Sequence, residues 1–383
     1  MTIAAAMPDF SAVRNQFDLR PELTWLNNCG VSVPPKSSAE AVTDYLAAFS
    51  ASGIMQTAKL HGQVKRNIQS LFAKFLGGAA HEYAILNNTA EGMTFIAQSL
   101  PLQRGDKILL VEREYPSNVY PFLQLKRQGI EIGYVSPGLS NDEFIANTSA
   151  ALTTNVRVMS LSAVDWLTGL RFDLPRIGRL LQSRGVAFIL DAAQGAGHVD
   201  IDVKAAGVDA MAFSCWKWLL GPLGSGGLYV SDDFMKKLDI RVAGTSSVKN
   251  DETYLPHRED YKESAERFML STAPYMNWIF LEASLQFIDR IGLANVQART
   301  LQLATHLADS LRKAGFEVLR DRFGHDQTAI VCARRDGDMA ALHAALTQKG
   351  IVSALREGYL RFSPHLNVAE ADLSRFDSII STT

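Results

Sequence analysis

Two polar residues in this chain each close a short apolar run. Asp191 ends Phe188-Ile189-Leu190-Asp191, and Lys217 follows Ala212-Phe213-Ser214-Cys215-Trp216. Runs of that kind read as buried strands, and their ends are where open α/β sheets present reactive groups. A lysine there can form an imine with an aldehyde, and an aspartate can pair with a protonated ring nitrogen. Together they are the two groups that pyridoxal 5'-phosphate (PLP) requires. Read singly, each has a plainer account: Asp191 as a helix cap after a strand, Lys217 as a side chain lying over Trp216 and Trp218. A third segment, Asn88-Thr89-Ala90-Glu91-Gly92-Met93, stands between an apolar run and an amphipathic stretch. Free backbone N–H groups at such a helix start, with the Thr89 hydroxyl, form a phosphate cradle. An ordinary cap is the alternative.

Short apolar runs alternate with longer amphipathic stretches, which predicts an α/β architecture with a largely parallel sheet. Strands are expected at 83–86, 107–111, 131–135, 156–161, 187–190, 210–213 and 227–230, with helices between them, among them 92–99, 121–128 and 175–183. Residues 245–268 are polar and read as a loop region. Long helices follow at about 277–291 and 294–314. The last part alternates again, with strands at 317–320, 329–332, 352–355 and 359–362 and helices near 339–349 and at the end. These divide the chain into an N-terminal arm (1–25), a large domain (26–275) and a small C-terminal α+β domain (276–383) that begins with a long connecting helix.

The chain has 383 residues, with 47% hydrophobic, 20% charged and a formal charge of −2. That charge gives no electrostatic reason to expect nucleic acid. No apolar run reaches the ~18 residues of a membrane span, and the first nine residues lack a basic stretch, so neither membrane insertion nor a signal peptide is expected. Cys29, Cys215 and Cys332 are odd in number and show no metal-binding spacing, which reads as reduced thiols in the cytoplasm. No metal is expected.

In order along the chain, these segments resemble the class V aminotransferase family of fold-type I PLP enzymes, which includes cysteine desulfurases, selenocysteine lyases, isopenicillin N epimerase-like proteins and kynureninase. The resemblance covers about Leu26 to Phe376. It rests on Asp191-Ala-Ala-Gln194-Gly195-Ala-Gly197-His198 and on Ser214-x-x-Lys217-x-Leu219-x-Gly221-Pro222-x-Gly224-x-Gly226. It implies a large domain with a mostly parallel sheet and a smaller C-terminal domain. By this resemblance Lys217 carries the cofactor, Asp191 pairs with its ring nitrogen and Gln194 bonds its 3'-oxygen. Ser214, Thr89 and Ala90 hold its phosphate. Trp216 replaces the family's usual histidine, so its indole N–H can donate to phosphate but carries no charge. Tyr115 stands where desulfurases have a ring-stacking histidine. It can stack, but a phenol titrating near ~10 is no neutral-pH acid–base group. Trp166 replaces an asparagine and shapes the pocket. Thr272 matches a threonine lent to the partner subunit's phosphate, although Met269 and Ser271 depart from the pattern there. That implies a homodimer. Arg361, in Leu360-Arg361-Phe362-Ser363-Pro364-His365, resembles the carboxylate-binding arginine, with Arg356 as the alternative. Asn28 belongs to the N-terminal segment that approaches the substrate.

The expected partner is therefore an amino-acid substrate, with no nucleic acid and no membrane. The shared chemistry is Cα deprotonation with freed Lys217 as base. Desulfurases place a nucleophilic cysteine on a loop before the C-terminal arginine. Here Arg356-Glu357-Gly358-Tyr359-Leu360-Arg361 leaves no room for one, which disfavours persulfide-forming sulfur transfer. The resemblance of Tyr115-Pro-Ser-Asn and Leu360-Arg-Phe-Ser-Pro-His to lyase- and epimerase-like members puts β-elimination of the C–S lyase type, or epimerisation, ahead of transamination. An aminotransferase is the alternative within the class. A non-catalytic PLP-binding or sensing protein is the alternative outside it, opposed by intact Lys217, Asp191 and Arg361. A nicotinamide dehydrogenase, suggested by the glycines at 221–227, lacks the G-x-G-x-x-G spacing after a first strand.

Overall fold

A computed structural model describes residues 8–382. Residues 1–7, which hold most of the segment read for a signal peptide and the start of the N-terminal arm, and residue 383 lie outside the described residues.

All seven expected strands form one sheet, in the spatial order Tyr83–Leu86, Gly226–Val230, Ala210–Ser214, Ala187–Asp191, Val156–Ser162, Lys107–Val111 and Glu131–Val135. Gly226–Val230 runs antiparallel to both neighbours, and the remaining pairs are parallel. The central strands are apolar on both faces because both faces are covered. Met211 and Phe213 enter one core with Leu190 and Phe72, while Ala210 and Ala212 enter the other with Ile189 and Ile96. That alternation is the period-two geometry of a strand. The helix Thr89–Ser99 lies close on the Ala210–Ser214 strand, and a Cβ at Gly92 would stand 2.8 Å from the Ala212 Cβ. Glycine is what lets the helix start sit beside the strand end.

A four-stranded antiparallel sheet holds Ala354–Arg356, Tyr359–Phe362, Val331–Arg334 and Glu317–Val318 in that order. The expected strand at 352–355 is divided. Ile351–Val352 pairs with Thr24–Trp25 instead, and the antiparallel sheet takes up the chain again at Ala354. Glu357 and Gly358 have φ of 46° and 78° and make the tight two-residue hairpin between Arg356 and Tyr359. The long helices Tyr275–Ile291 and Leu293–Lys313 lie near their expected places. Two further long helices, Lys36–Ser52 and Ile54–Leu76, meet at Gly53 and pack on Tyr275–Ile291. The 245–268 stretch holds short 3-10 turns and one isolated bridge between Val248 and Tyr261. Among the described residues, no helix is long and apolar enough to cross a membrane, and no group of side chains is arranged to hold a metal ion.

Candidate functional site

The C-terminal ends of the central parallel strands open on a cleft of about 580 Å³. Asp191 is the last residue of its strand and sits at the sheet centre, beside Ser162 on one side and Ala212 on the other. Its side chain lines the cleft and is 2% exposed. Oδ1 accepts the Ala193 N–H at 2.8 Å, while Oδ2 is buried with no partner. Burial lifts its carboxyl to about 6, against the opposing pull of the Ala193 N–H and of Lys217. A buried acceptor left unpaired costs about 1–3 kcal/mol, so Oδ2 is poised for a cationic donor. A protonated pyridine nitrogen is such a donor.

Lys217 follows the neighbouring strand end and lines the same cleft. Ser32 Oγ donates to its carbonyl, and Leu220, at φ 57°, turns the chain after it. Burial depresses the amine below the usual lysine range. Asp191 and Cys29 oppose that shift, and Arg361 adds to it. The amine lies 5.6 Å from the centre of the Tyr115 ring. At the opposite end, Thr89 and Ser214 are buried, with their hydroxyl oxygens 2.7 Å apart. Asn88 caps the Thr89–Ser99 helix through Glu91 N–H, and the first turn, with Thr89 and Ala90, faces the cleft. An amine, an orphan acceptor and a helix start with two hydroxyls, all on one cleft, fit a phosphorylated pyridine aldehyde.

Gln194 lines the cleft but is already engaged. Its Nε2 donates to Cys29 O at 2.9 Å, and its Oε1 accepts from Trp218 Nε1 at 2.9 Å. One N–H remains for a ligand oxygen. His198 stacks on Trp218 with ring centres 3.6 Å apart and takes the Ala329 N–H on Nε2, which puts its proton on Nδ1 facing Gln194 O. Burial holds this imidazole down at about 3, so it is neutral.

The rim is aromatic. Tyr115 and Trp166 meet edge to face at 5.7 Å, Trp166 Nε1 donates to Arg113 O, and Trp216 lines the cleft near Lys217. Arg361 comes from the antiparallel sheet and is 4% exposed. Its Nη1 donates to Trp166 O at 2.6 Å, and its Nε is buried without a partner. Arg356 also lines the cleft but is exposed, with Nη1 on Leu355 O.

Two expected residues stand elsewhere. Asn28 is fully buried and donates from Nδ2 to Ser363 O at 2.8 Å, so it braces the N-terminal segment while Asn27 and Cys29 line the cleft. Thr272 lies apart, at a recess of about 150 Å³ that it shares with Leu86, Asn87 and Glu91. Sequence reasoning passed over Glu114, whose carboxylate takes the N–H and hydroxyl of Ser162, the strand neighbour of Asp191, and over Cys29 as a cleft residue. For Glu114 the available signal was its place one residue before Tyr115.

The family model for aminotransferase class-V matches residues 24–370. A probable cysteine desulfurase of Pyrococcus abyssi is 25% identical over 307 residues, which cover 78% of this chain and 75% of that protein. A probable cysteine desulfurase of Methanothermobacter thermautotrophicus is 27% identical over 308 residues, covering 77% and 74%. Among solved structures, the apo cysteine desulfurase of Thermococcus onnurineus superposes with a TM-score of 0.88 at 22% identity, covering 99% of this chain and 98% of that one. A C-DES variant with glycine covalently linked to its PLP cofactor gives 0.90 at 22% identity, covering 98% and 99%. These structural likenesses establish the fold. The relatives overturn one expectation, that β-elimination or epimerisation stands ahead of persulfide-forming desulfuration. That ordering rested on the missing cysteine loop before Arg361, yet the curated relatives carry the name cysteine desulfurase.

Proposed function

The chain belongs to the class-V aminotransferase family, and from that premise we propose that it removes sulfur from an amino acid of the cysteine class. It is a PLP-dependent amino-acid enzyme. The naming of the curated relatives carries the choice of substrate. The cofactor supplies an electron-withdrawing ring that makes the substrate Cα–H acidic and loosens the Cβ–S bond.

Lys217 holds the cofactor, and its depressed amine moves the proton at the substrate Cα. Asp191 Oδ2 accepts the ring N–H. Thr89, Ala90, Ser214 and Trp216 take the phosphate, and the remaining Gln194 N–H takes the 3'-oxygen. Tyr115 covers the ring. Arg361 Nε meets the substrate carboxylate, with Arg356 outside it. Asn28 acts indirectly, by setting the backbone that places Cys29. In the transfer a thiolate acceptor forms an S–S bond as Cβ–S breaks. The electron pair stays on Cβ and is protonated, which yields alanine and a persulfide. Burial pushes the Cys215 and Cys332 thiols up, away from the thiolate form. Cys29 lines the cleft and is the in-chain acceptor to test.

We also read the chain as the large domain 26–275 and the small domain 276–383, in a cytoplasmic homodimer in which the partner subunit's Thr272 completes the phosphate site. The separation of Thr272 from the cleft within one protomer supports that reading. The test is to incubate PLP-loaded protein with L-cysteine, with and without an added thiol. Alanine should appear, and in the presence of the added thiol sulfide should match it mole for mole. Pyruvate or a racemised amino acid in place of alanine would overturn the reading.

A further inference from the structure

Asp191 is not the last carboxylate at the centre of the sheet. Sheet register sets Ser162 beside it, and Ser162 binds a second acid from the other side. Its N–H donates to Glu114 Oε2 at 2.8 Å, and its hydroxyl donates to Glu114 Oε1 at 2.6 Å. The Tyr115 N–H donates to the same Oε1 at 2.8 Å. No basic side chain is among these partners. The charge facing Glu114 is Asp191, of the same sign, and beyond it stands Lys217 with Cys29 and Arg361 around it. A carboxylate held by neutral donors against another carboxylate is an expensive arrangement in the absence of a cation. The chain also strains to make it. Arg113, just before Glu114, has φ 59°, in the left-handed region that L-residues avoid, and Trp166 Nε1 bonds its carbonyl. The same turn that sends Glu114 inward sends Tyr115 over the Lys217 amine.

We propose that Glu114 is a positioning residue that fixes Tyr115 over Lys217 and stands as a second negative charge behind Asp191, so that a cationic ring nitrogen meets two carboxylates. This deepens the reading above, in which Asp191 and Lys217 serve the cofactor. Two carboxylates close together raise each other's proton affinity. Glu114 is half-buried, and its desolvation together with the Asp191 charge pushes its carboxyl up to about 7 in the cofactor-free protein. An acid whose folded pKa is raised stabilises the fold at low pH, and that contribution is lost as pH rises through the raised value.

The experiment has a cofactor-free arm and a cofactor-loaded arm. In the first, melting temperatures of apo wild type and apo Glu114→Gln are compared from pH 4 to 9. Wild type should lose roughly one to three degrees relative to the variant as pH rises to about 7, and the gap should then level off. In an Asp191→Asn background the same change should centre at lower pH. A flat difference, or one unmoved by Asp191→Asn, would overturn the proposal whether or not PLP binds. In the second arm, the absorbance of bound PLP is titrated. Glu114→Gln should lower the midpoint by roughly half a unit to one unit and raise the PLP dissociation constant several-fold. Ser162→Ala, which removes one donor but keeps the acid, should shift the midpoint less and in the same direction. Unshifted midpoints in both variants would overturn it. Failure of every protein to bind PLP would sink the functional reading, and the apo arm would still decide the Glu114–Asp191 coupling.

Discussion

The floor and the far wall of the cleft both carry a buried polar atom without a partner, of opposite kinds. On the floor it is an acceptor, Asp191 Oδ2; on the wall it is a donor, Arg361 Nε. The floor comes from adjacent parallel strands buried on both faces. The wall comes from an antiparallel hairpin, and its arginine is aimed by a backbone carbonyl, Trp166 O. An unpaired acceptor asks for a cationic donor and an unpaired donor for an anion. The pair therefore describes the ligand's polarity across the cleft: a protonated ring below and a carboxylate opposite. Under the proposed function, floor residues would act on the bonds that change and wall residues would hold what does not. Substitutions on the floor should thus strike kcat, and those on the wall KM.

The largest effect belongs to Lys217. Lys217→Ala should lose cofactor that survives borohydride treatment and denaturation, and turnover should fall at least ~10⁴-fold, the upper range for one acid–base group. Retained borohydride-fixed cofactor would move the attachment elsewhere. Next is Asp191→Asn, which keeps shape but offers no charge to the ring nitrogen. Turnover should drop by ~10²-fold or more while PLP still binds. The same variant carries a stability signature. The raised Asp191 carboxyl stabilises the apo fold below about pH 4 and ceases to do so as pH rises through about 6. Apo Asp191→Asn should therefore gain on apo wild type over that window, by on the order of 3 kcal/mol. PLP should shrink the gap, since it gives the carboxylate its partner. An equal gap with and without PLP would separate Asp191 from the ring.

The floor was the legible half. Asp191, Ser214 and Lys217 follow apolar runs whose period and length mark buried strands, and a strand end has one place to go in a doubly covered sheet. The wall was less legible. Arg361 was named through family resemblance, but its support by Trp166 O comes from a residue 195 positions away in sequence, and no local pattern encodes that contact. Asn28 was read one residue out of phase. After the bridge from Asn27 to Ser363 the chain turns through Asn28–Gly30, with the Gly30 and Val31 N–H groups closing on Asn27 O, and that turn leaves Asn27 and Cys29 on the cleft and Asn28 on Ser363. Glu114 was missed because an acid in Glu112-Arg113-Glu114 reads as a solvated turn until Ser162 is seen to bind it. His198 was legible as part of a motif but not as the link that ties Gln194 to Ala329 in the run leading into the small sheet.

Arg361 sets the next effect. Arg361→Ala should raise KM for the amino acid and cost ~10–100-fold in kcat/KM, the range for a charge-assisted hydrogen bond. The fall in kcat at saturating substrate should be smaller. A variant that loses kcat and kcat/KM equally would place Arg361 with the floor and break the division between the two sides.

Trp166 should give the smallest effect and test the wall most finely, because its backbone and side chain do different things. The carbonyl aims Arg361 at 2.6 Å, and the indole closes the rim against Tyr115 and bonds Arg113 O at 2.8 Å. Trp166→Phe leaves the carbonyl and an aromatic face in place and removes one neutral hydrogen bond, a net contribution of about 1 kcal/mol. KM should therefore rise by roughly fivefold at most, with kcat unchanged and the Arg361→Ala penalty of the same size in both backgrounds. If the indole rather than the carbonyl supports Arg361, the two substitutions will not add, and Trp166→Phe will already show much of the arginine's loss. The double-mutant cycle reads that difference directly, since residues acting through one contact couple and independent ones do not.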